Sequence, residues 1–213
     1  RCPGRETALL LRRAPPGAKF VPERLKRGLR HAIAELRGRL TPLRRGRPRQ
    51  AGPLRIAAAA TGHFPVVSHT FVYQELLSYH EALEAEVRLY HQMDHDRAEL
   101  HAAFAYLDEH RVRVDSTQKS RRVDFRFWRG RARAAVSRIV ELVAEHTGRA
   151  PGELKEDEQF LYGFTLARRL ESFDPDWIHT YFFYEQALAG WIASELLGVP
   201  RALTAYADHL LSD

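Results

Sequence analysis

Residues 54–60, Leu-Arg-Ile-Ala-Ala-Ala-Ala, form a short run with a single polar member. Pro53 bounds it on one side and Thr61-Gly62-His63-Phe64-Pro65 on the other. A strand with one wet face alternates apolar and polar side chains, and this run does not. It predicts a strand buried on both faces, the position that strands occupy in a parallel sheet covered by helices. Parallel neighbours must be joined by crossovers, usually helical. The chain after residue 54 should therefore alternate short apolar runs with helical periods.

It does so. Val87-Arg88-Leu89-Tyr90, Arg111 to Val114, Trp177-Ile178-His179-Thr180-Tyr181 and Arg201 to Ala205 read as four further strands. Between them, Ser68 can cap a helix covering Phe71, Val72, Glu75, Leu76 and Tyr79. Residues 97–110 read as helical, with Leu100, Phe104 and Leu107 on one side. Two longer helices are expected from about Arg129 to His146 and from Glu156 to Ser172, separated by Pro151 and Gly152. A last helix runs from Gln186 to Leu197 and ends at Gly198, with Pro200 just beyond. The expected fold class is α/β: a Rossmann-like, mostly parallel sheet flanked by helices.

Residues 1–53 differ in kind. They hold 15 Lys/Arg against 3 Glu, a balance of +12, whereas residues 54–213 hold 18 against 24 Asp/Glu, a balance of −6. Leu25, Leu29, Ala32, Ile33, Leu36 and Leu40 fall on one face of a helix over 22–40, with Pro22 at its start. Thr41 to Pro53 is a linker rich in proline and arginine. Two regions are expected: a basic helical arm, 1–53, and a folded domain, 54–213. The charge asymmetry points to an anionic partner for the arm. No apolar stretch approaches the roughly 20 residues that span a bilayer. Cys2 is the only cysteine, which leaves no disulfide framework and implies a reducing, cytoplasmic setting.

In open parallel sheets, ligands bind beyond the carboxyl ends of the strands. The segments of interest are therefore Thr61 to Thr70, His179 to Glu185 and Tyr206 to Asp213. The first carries one glycine, Gly62, and lacks the three-glycine spacing of a dinucleotide fingerprint, so NAD and FAD are disfavoured. It keeps the parts of a turn that can approach a phosphate: a residue without a side chain, then a helix whose free N–H groups face the loop.

Three segments carry a resemblance. Phe64-Pro65-Val66-Val67-Ser68-His69-Thr70-Phe71-Val72-Tyr73-Gln74-Glu75 resembles the opening of family-four glycosyltransferases that build surface polysaccharides. It matches at Phe64, Pro65, Ser68, Thr70, Phe71 and Glu75 and departs at His69, where the family has glutamate. Asp174-Pro175-Asp176-Trp177-Ile178-His179-Thr180-Tyr181-Phe182 resembles the family's Pro-Asp-hydrophobic-Ile-His-Ala-His-Phe segment. His179 stands for the first histidine, and Tyr181 replaces the second. Leu197-Gly198-Val199-Pro200, then Leu203 to Leu210, resembles a Gly-Ile-Pro and Thr-Ala-His-Ala-x-Asp-Ile pair, with Tyr206 in place of the histidine and His209 in place of the aspartate.

The resemblance implies the N-terminal, acceptor-side half of a GT-B fold. It implies a nucleotide-diphosphate sugar as donor substrate, a carbohydrate or lipid-linked acceptor, no cofactor and no metal. The donor-binding Glu-x7-Glu segment would belong to a C-terminal domain after Asp213, so the chain reads as a fragment expected to be inactive alone. Gly62, His63, Phe64, Ser68 and Thr70 would line the cleft near the phosphates. His179, Tyr181, Tyr206, Asp208 and His209 would shape the acceptor side, with Tyr206 and His179 as the catalytic pair. Tyrosine at 206 can hydrogen-bond a hydroxyl but carries no proton near pH 7 as imidazole does. Such transfer relies mainly on positioning and on stabilising the departing diphosphate.

Other readings compete. Residues 111–138 hold ten Lys/Arg against Asp115 and Asp124, interleaved with Phe125, Phe127 and Trp128. Such a run fits an anionic membrane surface or single-stranded nucleic acid, or simply a solvated helix face. With the resemblance, a peripheral location at the inner face of a membrane is expected, and the acidic balance of 54–213 disfavours nucleic acid. A non-catalytic Rossmann-like binding module, or an inactive glycosyltransferase-like subunit, is the alternative. His91, His95 and His101 lack the glutamate of the zinc-protease pattern and read as a polar loop.

Overall fold

The Leu54 run becomes the middle strand of a sheet. The computed structural model describes residues 52–59, 62–66, 69–94, 100–181 and 185–204; the basic arm, with its expected helix over 22–40, lies outside them. The elements in chain order are β1 (Arg55–Ala59), β2 (His63–Phe64), α1 (Thr70–Leu83), β3 (Glu86–His91), β4 (Met93–Asp94), a 3₁₀ turn (Ala102–Phe104), α2 (Ala105–Glu109), β5 (Arg111–Arg113), α3 (Gln118–Arg131), α4 (Arg133–Thr147), α5 (Pro151–Leu154), α6 (Glu158–Phe173), β6 (Trp177–Tyr181), α7 (Glu185–Leu197) and β7 (Arg201–Thr204). Five strands form one sheet in the order β5-β3-β1-β6-β7, and every pairing in it is parallel. The fold is Rossmann-like α/β, as the alternation of runs requires.

The absence of alternation in β1 is explained by what covers it. Leu54, Ile56 and Ala58 pack with Val72, Tyr73, Leu76 and Tyr79 of α1 and with Phe104 and Leu107. Ala57 and Ala59 face the other way, onto a cluster built from Phe125 and Trp128 of α3, Phe160 and Phe164 of α6, and Ala189 and Ile192 of α7. Two glycines set the closeness of this second layer. A Cβ on Gly163 would lie 2.7 Å from Ile192 Cδ1, and one on Gly190 would overlap the Thr180 methyl. The Asp-Pro-Asp punctuation before β6 is a clamp. Arg55 pairs with Asp174 at 2.8 Å, its amide donates to Asp176 Oδ2 at 2.9 Å, and the Asp176 amide donates to Arg55 O at 2.7 Å.

Several expectations need correction. The helix expected from about Arg129 begins eleven residues earlier, at Gln118, where Thr117 and Ser120 form a capping box. It breaks at Ala132, whose backbone leaves the helical region. Pro151 does not merely separate helices; it opens the short α5, where its missing N–H costs nothing. Within the helix expected over 97–110, the described residues form only a 3₁₀ turn and the five-residue α2. The cap position of α1 falls on His69, which makes no side-chain cap bond, rather than on Ser68. The two-residue strands β2 and β4, which pair in parallel, were not expected. Among the described residues, no helix is long and apolar enough to cross a membrane.

Candidate functional site

Strand order fixes where a ligand can enter. β3 and β5 lie to one side of β1, and β6 and β7 to the other, so the crossovers reverse direction between β1 and β6. In open parallel sheets a ligand binds beside the carboxyl ends of two strands at such a reversal. Gly62 stands on the β1 side. Its carbonyl accepts the amides of Gln92 and Met93, both at 2.9 Å, which ties the loop to the turn after β3. Gln186, buried in the first turn of α7, stands on the β6 side, and a Cβ on Gly62 would lie 3.2 Å from Gln186 Nε2. Glycine therefore lets the two loops approach closely, although its φ is not left-handed.

His179 lies on β6, beside Ala58 of β1. Its Nε2 is hydrogen-bonded to Thr204 Oγ1 of β7 at 2.8 Å and stands 3.9 Å from Glu75 Oε1 of α1. Glu75 in turn accepts the Tyr79 hydroxyl at 2.5 Å. The imidazole stacks on the Tyr181 ring, with centroids 4.4 Å apart and planes 7° from parallel, and is flanked by Tyr79 at 5.6 Å. Three elements far apart in sequence thus meet at one side chain. His179 is only 3% exposed, and its Nδ1 has no hydrogen-bond partner among the described residues. Burial pushes its pKa below the ordinary imidazole value, and the Glu75 carboxylate offsets this only in part. The ring is neutral at neutral pH, so it can accept at one nitrogen and donate at the other.

The other expected site residues divide by exposure. His63 on β2 and Thr70 at the start of α1 are exposed, and Gly62 is half-buried, so all three can face a ligand. Phe64 is fully buried. It packs edge-on against Tyr73 at 5.3 Å and beside His91 at 5.6 Å, so it braces the loop from inside and offers a ligand no surface. Tyr181 is likewise buried and serves as the platform under His179. Ser68, Tyr206, Asp208 and His209 lie outside the described residues. Glu75, quoted only as part of a motif, joins the site directly. Tyr79 and Thr204 were missed; the i, i+4 spacing of Glu75 and Tyr79 is the signal that could have found one of them. Gln186 carried no signal.

Arg121 supports this end of the sheet from behind. It is 9% exposed and donates to Ser116 Oγ at 2.8 Å, to the Glu158 carbonyl at 2.9 Å and to Gln92 Oε1 at 3.3 Å. It thereby links α3 and α6 to the turn that holds Gly62. A cavity of about 210 Å³ lies at the opposite, amino-terminal edge of the sheet, between Trp128, Arg131, Glu171, Asp174 and Gly198. It shares no residue with Gly62, Gln186 or His179, and the rule for parallel sheets makes the carboxyl strand ends the better candidate. Among the described residues, no group of three or more His, Cys, Asp or Glu is placed to hold a metal ion. Comparisons with protein-family models, with curated proteins and with solved structures found no match.

Proposed function

We propose that the chain is the acceptor-side half of a GT-B glycosyltransferase of the family-four type, whose complete form moves a sugar from a nucleotide diphosphate to a carbohydrate or lipid-linked acceptor. One observation carries the reading. The three segments that resemble the family supply Glu75 of α1, His179 of β6 and Thr204 at the carboxyl end of β7, and these side chains converge. In a parallel sheet the carboxyl edge is where a substrate sits.

In this reading Gly62 and the exposed Thr70 face the donor phosphates, at the positive, N-terminal end of α1. His179, buried behind the strand end, braces the acceptor position that Tyr206, Asp208 and His209 complete. Its role is positional: a neutral imidazole clamped by Thr204 fixes that wall without adding charge. Positioning of this kind is worth on the order of 10²-fold when lost. The complete protein, supplied with a panel of nucleotide sugars and with lipid-linked and oligosaccharide acceptors, should transfer sugar. His179→Asn should lower kcat/KM by about that factor. Unchanged kcat/KM would remove His179 from the site, and a folded complete protein that transfers nothing would sink the reading.

A further inference from the structure

The arginines of the folded domain differ in how they are partnered. Arg55, Arg88, Arg111, Arg113, Arg122, Arg131, Arg149 and Arg168 each make an ion pair with a carboxylate. Arg138, Arg169 and Arg201 are exposed and make no such pair among the described residues, and neither do three that lie close together, Arg126, Arg129 and Arg133. These three line an open concavity of about 510 Å³ at the junction of α3 and α4, together with Gly130 and Ser137. A Cβ on Gly130 would meet nothing within 4 Å, so nothing crowds the space between the guanidinium groups. Lys119 and Val123 extend the same face of α3 at helical spacing, and Val123 is 54% exposed.

Three unpaired guanidinium groups around an open concavity fit phosphate oxygens, which arginine binds in a fork. The sequence left two sources of such phosphate open, a lipid surface and single-stranded nucleic acid. The packing favours the first. Phe125 and Trp128 are buried, and the indole N–H of Trp128 donates to Phe164 O at 3.0 Å. Phe127 is half-buried, with the Arg168 guanidinium 3.5 Å over its ring. Among the described residues no aromatic ring is left open on this face for a base to stack on, and stacking is what single-strand binders use. The exposed apolar residue here is instead an aliphatic one, Val123, with Lys119 and Arg126 one turn to either side, as suits a headgroup boundary.

We propose that the outer face of α3 and α4 docks on the phosphate headgroups of an anionic lipid surface, with Arg126, Arg129 and Arg133 as the contacts. The proposal is independent of the sugar-transfer reading. Co-sedimentation of the 213-residue chain with phosphatidylcholine vesicles, with and without phosphatidylglycerol, tests it. Binding should require phosphatidylglycerol. The triple variant Arg126→Gln, Arg129→Gln, Arg133→Gln should lower partitioning on the order of a hundredfold, from about fivefold for each basic residue near a charged membrane. All three side chains are exposed, so the far-ultraviolet circular dichroism should not change. A control triple in the arm, Arg44→Gln, Arg45→Gln, Arg47→Gln, removes the same charge elsewhere and should cost less. Equal losses from the two triples would overturn the proposal in favour of diffuse charge attraction. A helix triple that keeps its vesicle binding but loses a single-stranded oligonucleotide would overturn it in favour of nucleic acid.

Discussion

His91 and His179 sit on β3 and β6, the two strands that flank β1, with their imidazoles removed from water. Burial lowers the pKa of both. For His91 the Met93 carbonyl and Asp94 work against that, and the Arg111 and Arg113 charges add to it; for His179 Glu75 opposes it. In the unfolded chain both titrate near the ordinary value of about 6.5. As pH falls through that value, the unfolded chain takes up protons that the folded state refuses. Stability is therefore complete above about 6.5 and declines below it, until the folded-state values are reached. Denaturant midpoints should fall between about pH 7.5 and about pH 5.5, and the double variant His91→Asn, His179→Asn should show a shallower decline. An equal decline would place the proton uptake elsewhere. At Gly190 the limit is steric. Gly190→Ala drives a methyl into Thr180 and should destabilise the domain by about 1–3 kcal/mol, the usual range for overpacking. Chemical denaturation reads this directly.

Elements were legible where their signal was apolar. β1, β3, β6 and β7 announce themselves as short apolar runs, and α7 by its glycine stop, since Gly198 adopts φ 65°. α3 was half-hidden because its inward face reads Arg121, Phe125, Trp128. A pattern search counts the first of these as a surface residue. The structure buries it, because three hydrogen-bond acceptors satisfy its guanidinium. β2 and β4 are too short to have a period; the Gly62 carbonyl, bonded to two amides, seats them. The meeting of His179 with Thr204, 25 residues apart, follows from the β6–β7 register and cannot be read from either strand alone. At the helix ends the signal was chemical. Asp157 caps α6, accepting the Phe160 amide at 2.7 Å and the Arg149 guanidinium at 2.7 Å. Burial would raise its pKa, but these partners outweigh it and hold the carboxyl below the ordinary range. Its stabilising contribution is thus complete at neutral pH and lost as pH falls below about 3.9. Asp157→Ala should cost about 1 kcal/mol near pH 7. The gap should close in acid, as paired melts at the two pH values would reveal.

At the scale of the molecule, both core clusters, among the described residues, draw on Leu54 to Val199. A chain beginning at Gly52 keeps every one of these members and should keep the thermal midpoint of the full one. A drop beyond about 4 °C, roughly 1 kcal/mol for a domain of this size, would show that the arm packs on the fold. The same cut changes the charge from +6 to −6, so surface attraction and folding can be separated in one experiment. The two rims of the sheet are unlike. β5 carries Arg111 and Arg113, held to Asp94, Asp108 and Asp115, and such charge discourages a stray strand from pairing. β7 ends the described order on the other side with Arg201-Ala202-Leu203-Thr204, where Leu203 is 38% exposed and no ion pair among the described residues stands guard. Among the described residues the sheet thus has one rim guarded by charge and one without such a guard. A further strand that reached β7 would find backbone partners there.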